Sequence, residues 1–144
     1  MKKNKIVLTV LSLVLIAGPV LCQTAQSAMS EELSDSLLVI WTSADKEVAR
    51  NMVFMYVYNA KKNKWWGQIR FLIWGPSAKI LAGDEDLQAE LAKMKDTGVE
   101  LFACKACADR YGVGEKLTSL GVTVKYTGKD LTEWLKAGWT SLTF

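Results

Sequence analysis

Five strand-length apolar runs, each separated from the next by a segment of helical character, constrain this chain more than any other feature. The runs are "LLVIWT" (Leu37–Thr42), "GQIRFLIW" (Gly67–Trp74), "VELFA" (Val99–Ala103), "VTVKY" (Val122–Tyr126) and "WTSLTF" (Trp139–Phe144). The first of them, a continuous apolar run of strand length, suits a strand buried on both faces, as in a parallel sheet. Alternation of such strands with helices predicts an α/β domain with an open, mostly parallel sheet. Right-handed crossovers then place helices on both faces. With 144 residues there is room for one such domain and not two.

The connecting segments carry helix signals. "SADKEVARNMVFMYVYNAKKN" offers Ser43 as N-cap, Asp45 and Glu47 in a first turn, and Lys61 and Lys62 at the far end. Its apolar positions Val48, Met52, Met55 and Tyr56 recur at helical spacing and read as core packing. "SAKILAG" and "DEDLQAELAKMKDTG" read as a short and a longer helix, with Gly98 at the C′ position. "GEKLTSLG" (Gly114–Gly121) and "DLTEWLKAG" (Asp130–Gly138) complete the set. Asp84, Glu85 and Asp86 are read as a helix start, not a calcium site. Trp134 and Trp139 fit either the core or a subunit interface.

The N-terminus stands apart from this pattern. "MKKNK" is a basic lead, Ile6–Leu21 is an uncharged apolar run broken near its end by Gly18-Pro19, and "CQTAQSAMS" is rich in small residues. This is the form of a secretory signal peptide over residues 1–28, with cleavage after Ser27 or Ala28. The run is short for a membrane span, so no stable membrane insertion is expected after cleavage. A polar lead-in (29–35) and the domain (36–144) follow, and the expected location is exported or periplasmic. Lipidation of Cys22 is the lesser alternative, because Leu21 stands where a lipoprotein signal wants a small residue.

Two compositional facts exclude function classes. Loss of Lys2, Lys3 and Lys5 leaves 15 of 18 basic residues against 15 acidic ones, so the net charge of +3 belongs to the signal. A neutral mature domain has no basic stripe for nucleic acid. The chain also contains no histidine, which rules out Ser-His-Asp or Cys-His machinery within one chain and any His-ligated metal.

Chemistry then falls to "ELFACKACADRYGVGEKL", where Cys104 and Cys107 follow the third strand directly. Sites in open parallel sheets lie at the carboxyl ends of strands, near a reversal of strand order, and Cys104 is expected at that edge. Two cysteines cannot close a zinc site without ligands from another subunit. A Cys-x-x-Cys dithiol is a second reading: at a helix start the first thiol is exposed and the second lies one turn on. In an oxidising compartment the two could form a disulfide. A third reading is nucleophilic sulfur chemistry, in which a thiolate favoured by a helix start attacks a sulfane sulfur and holds it as a persulfide. Lys105, Arg110 and Lys116 are the cations nearby in sequence. The remaining alternative is a pair of packed, inert thiols.

"CKACADRYGV" resembles the cysteine motif of the DsrE/DsrF-like sulfur-carrier proteins. Cys104 and Gly112 keep the family's interval of eight, Cys107 takes the frequent second position, and Arg110 lies two residues before the glycine instead of next to it. The order of elements and the terminal "LTF" are also similar, over about residues 36–144. The resemblance implies a flavodoxin-like domain that assembles as a homotrimer or homohexamer and uses no organic cofactor. It implies Cys104 as the persulfide-forming acceptor and Cys107 as an accessory thiol that resolves or protects it. A sulfur donor and an acceptor protein or small thiol would be its partners. The rivals are a non-catalytic oligomeric binding module with a structural Cys104–Cys107 disulfide, and a dithiol–disulfide oxidoreductase. "WGPSAK" (Trp74–Lys79) is expected to border the same crevice, with Ser77 and Lys79 more simply read as part of a capped helix.

Overall fold

A computed structural model describes residues 35–144. The signal segment, Cys22 and the lead-in up to residue 34 lie outside the described residues. Strands β1 (Ser36–Trp41), β2 (Gln68–Ile73), β3 (Glu100–Cys104), β4 (Thr123–Lys125) and β5 (Thr140–Thr143) form one sheet in the order β4-β3-β2-β1-β5. Every neighbouring pair is parallel. Helix α1 runs through Lys46–Val48, a π-helical stretch at Ala49–Phe54, and Met55–Lys62. Then come α2 (Ser77–Gly83), α3 (Glu85–Asp96), α4 (Lys105–Tyr111), α5 (Gly114–Ser119) and α6 (Gly128–Lys136). Among the described residues no helix is long and apolar enough to cross a membrane.

The order of strands decides where each helix goes. From β1 to β4 the chain steps steadily in one direction, so right-handed crossovers keep α1 to α5 on one face. The last crossover returns across the whole sheet to the far side of β1 and lays α6 on the opposite face. Side-chain alternation along the strands divides the core accordingly. Leu37, Val39, Trp41, Phe71, Ile73, Leu101 and Ala103 pack with the five-helix layer, whereas Leu38 and Leu72 pack with Trp134 of α6. The helices on both faces are therefore very unequal. Under α1 the large core centres on Trp41, whose ring meets Phe54 edge-on at 5.1 Å and Phe71 in a stack at 6.0 Å.

Two local expectations for α1 do not hold. Asp45, not Ser43, is the N-cap: its carboxylate accepts from the Glu47 and Val48 amides, while Ser43 Oγ accepts from the Asp45 amide one step earlier. Nor do Met52 and Met55 belong to the core, since both are about half exposed (51% and 55%). Small and β-branched residues, with Phe54, instead line the sheet: Ala49, Val53, Phe54, Val57 and Ala60 are buried. Ala49 and Ala60 let the helix lie close to the sheet, and the methionine stripe is left one position around the helix, facing outward. Asp84 does start a helix, accepting from the Leu87 amide, and Lys46 pairs with it at 2.6 Å. Gly98 follows α3 at φ 89°, as a C′ glycine should.

Candidate functional site at the ends of β3 and β4

At their carboxyl ends β3 and β4 diverge. β3 continues into α4 on one face, and β4 continues through Tyr126 and Thr127 into α6 on the other. Adjacent parallel strands whose continuations part in this way leave a crevice between them. A cleft of about 560 Å³ occupies that place, with Cys104, Cys107 and Arg110 on its α4 side and Thr127, Gly128 and Lys129 on its α6 side. Trp74, Ala106 and Tyr126 complete the lining.

Cys104 is the last residue of β3 and the N-cap of α4, with extended backbone (φ −68°, ψ 115°). By strand alternation it falls on the face of Phe102, away from Ala103 and the five-helix layer. Its thiol makes no capping bond to α4. At 7% exposure Cys104 is the more buried of the two thiols, which reverses the expected order; the strand register holds it inside the crevice while Cys107, within the helix, faces its mouth. Gly112 explains the interval of eight. Seven residues of α4 separate it from Cys104, and it ends the helix at φ 66°, donating its amide to Ala108 and Asp109. A side chain there costs about 1–2 kcal/mol.

Both cysteines are free thiols. The Gly75 amide, in the turn after β2 (φ 76°), donates to Cys107 Sγ at 3.2 Å. The Cys107 thiol is nonetheless pushed up from its ordinary value, by burial first and then by its hydrogen bond to Cys104. The Gly75 amide and the Arg110 charge pull in the opposite direction and only partly offset this. Burial and the neighbouring Cys104 thus favour the protonated form of Cys107. Because the folded state favours the protonated thiol, its contribution to stability is present below the ordinary thiol value and is lost as pH rises from there through the raised folded value. Alkylation of Cys107 in the Cys104→Ser chain should show the part of this shift that burial supplies: its pH–rate profile is displaced to higher pH than that of a free cysteine. A profile coincident with free cysteine would remove this account.

Of the cations noted in sequence, only Arg110 lines the cleft, and it makes no ion pair among the described residues. Lys105 is held by Asp109 at 2.7 Å and lies 5.7 Å from the Tyr126 ring centre. Lys116 sits on α5, outside the lining. The "WGPSAK" turn does border the crevice through Trp74, whereas Ser77 is a buried tie, donating to the Trp41 carbonyl at 2.6 Å. Lys79 faces a different surface depression.

The model of the DsrE/DsrF-like family matches residues 35–144. The chain belongs to that family. A solved structure of a conserved protein of unknown function from Bacteroides thetaiotaomicron is similar over 76% of this chain and 95% of its own, at 39% identity and a TM-score of 0.74. No curated protein matches the chain. The DsrE/DsrF-like family is associated with sulfur relay, and the all-parallel sheet here is its flavodoxin-like arrangement.

The α6 wall was not singled out from this DsrE/DsrF-like sequence. Its signal was present in "KYTGKD", a small polar turn after a strand, placed after β4 just as "CKAC" is placed after β3. What conceals it in one dimension is that the two turns become neighbours only once β3 and β4 pair.

Proposed function

We propose that this DsrE/DsrF-like chain is a sulfur carrier in which Cys104 accepts sulfane sulfur as a persulfide and passes it to a partner thiol. The observation that carries the reading is the pair of free thiols lining the β3–β4 crevice, Cys104 the more buried of the two. The Cys104 thiolate attacks the outer sulfur of a donor persulfide. The donor's S–S bond breaks, its electron pair leaves on the donor thiolate, and Cys104 becomes the persulfide. Attack by an acceptor thiolate on that outer sulfur reverses the bookkeeping and restores Cys104. No net oxidation occurs in either half.

Cys107 supplies a hydrogen bond to the sulfur at Cys104 and stands ready to displace the outer sulfur as hydrosulfide, closing a disulfide. The test is the intact mass of the reduced protein after exposure to polysulfide. A gain of whole sulfur atoms supports the carrier; loss of two hydrogens alone supports the oxidoreductase or the structural disulfide. The likeness also implies a homotrimer or homohexamer, and light scattering in solution should give three or six chains per particle; a monomer at micromolar concentration would overturn that part.

A further inference from the structure

The wall opposite the thiols is built from the start of α6, and Thr127 there is anomalous. It is fully buried, yet its Oγ1 has no hydrogen-bond partner. A buried hydroxyl left unpaired is costly and uncommon. As N-cap of α6 it would ordinarily turn its oxygen onto the helix's own amides, but its backbone is helical (φ −89°, ψ −3°) and no capping bond forms. The first helical bond is from the Leu131 amide to the Thr127 carbonyl at 2.8 Å, which leaves the Gly128, Lys129 and Asp130 amides without an acceptor in the helix. Gly128 keeps the approach clear, since a Cβ there would meet nothing within 4 Å. Among the described residues Arg110 and Lys129 line the same cleft and no carboxylate does; Lys129 lies 3.6 Å from Glu133 on the outer side of α6, and Asp130 in the first turn is drawn aside to Lys125 at 3.2 Å.

We infer that the turn Thr127–Lys129 is an oxyanion subsite facing Cys104. This deepens the carrier reading, on which its second half rests: the donor is a small sulfane-sulfur anion of the thiosulfate class. An unpaired hydroxyl, free amides at the positive end of a nine-residue helix and the unpaired Arg110 suit a sulfonate group. The burial of Cys104 favours a small donor over a bulky one. With the sulfonate at α6, the outer sulfur points at Cys104. The Cys104 thiolate attacks it, the bond to the sulfonate sulfur breaks, and sulfite leaves with the electron pair. The products are the Cys104 persulfide and sulfite, with charge and oxidation state balanced. The α6 groups hold the charge that gathers on the departing sulfite.

The test separates the subsite from the carrier. Calorimetry on Cys104→Ser with thiosulfate, sulfate and phosphate reads anion binding without turnover. Thiosulfate and sulfate should bind, and adding Thr127→Val should weaken both by about tenfold or more, with Thr127→Ser restoring affinity. The melting temperature of Thr127→Val should be unchanged or higher, because the lost hydroxyl had no partner. If Val perturbs folding, amide NMR of the unsubstituted chain decides: sulfate should move Gly128, Lys129 and Asp130 most. No binding, or binding indifferent to Thr127 and to those amides, overturns the subsite. Phosphate bound more tightly than thiosulfate overturns the donor class, as does loading of the unsubstituted chain by polysulfide but not by thiosulfate, with the carrier intact. Loading by neither overturns the carrier itself, and calorimetry still reports on the subsite.

Discussion

Cys104→Ser should take up no sulfur from polysulfide, whereas Cys107→Ser should still do so. The expected loss at Cys104 is several orders of magnitude, the scale of removing a nucleophile, because a serine hydroxyl is not ionised at neutral pH and forms no persulfide. Both changes are nearly isosteric, and both residues line the cleft, so both variants should fold. Cys107→Ser keeps a hydroxyl donor beside Cys104 but removes the route to a disulfide. Its persulfide should therefore form at a comparable rate and survive longer under oxidising conditions, where the unsubstituted chain would close Cys104 onto Cys107 and release the outer sulfur. Mass spectrometry of the three proteins at successive times resolves these cases. Loading lost in Cys107→Ser and kept in Cys104→Ser would transfer the acceptor role to the more exposed thiol. Loss in both, with reversible disulfide formation in the unsubstituted chain, would favour the oxidoreductase.

The central strands were legible because they are buried. β1 and β2 have flanking strands on both sides, and their runs of Leu37–Ile40 and Phe71–Ile73 announce themselves without reference to the rest of the fold. The position of Cys104 followed from the same logic, since a parallel strand must deliver its last residue to the sheet edge. The depth of that residue did not. Whether Cys104 faces the mouth or the interior depends on strand parity, and a strand end shifted by one residue reverses it. Helix α1 shows the same sensitivity: Val48, Met52, Met55 and Tyr56 keep helical spacing as well as Ala49, Val53, Val57 and Ala60 do. Alanine scores as weakly apolar, so the stripe with the larger side chains dominates the pattern, although close approach to a sheet selects the smaller one. The α6 wall of the cleft was the least legible part, because it depends on the last crossover returning over the opposite face, a property of strand order alone.

That lone crossover makes Trp134→Ala the most damaging single change outside the main core. On this face α6 is fastened chiefly by one ring. Trp134 is 9% exposed and lies 5.1 Å from the Phe102 ring centre, over Leu38 and Leu72 of the central strands. Arg70, itself paired with Glu100 at 3.1 Å, places its guanidinium 4.9 Å from the Trp134 ring and 4.2 Å from that of Trp139. Truncating a buried tryptophan costs about 3–5 kcal/mol, and the cation–π contact is lost with it. The loss should be local first. The five-helix layer keeps its own core, so α6 should open while β1 to β3 remain protected, and amide exchange should show its helix losing protection ahead of the sheet. Leu135→Ala, one position on but 45% exposed, should stay within about 0.5 kcal/mol of the parent. The consequence for chemistry follows from the shared helix. Thr127 and Gly128 are the start of the element that Trp134 fastens, so the variant should bind sulfate poorly even though every group facing the anion is retained. Unchanged exchange in α6, or sulfate affinity equal to that of Leu135→Ala, would show that the cleft is held together by something other than this tryptophan.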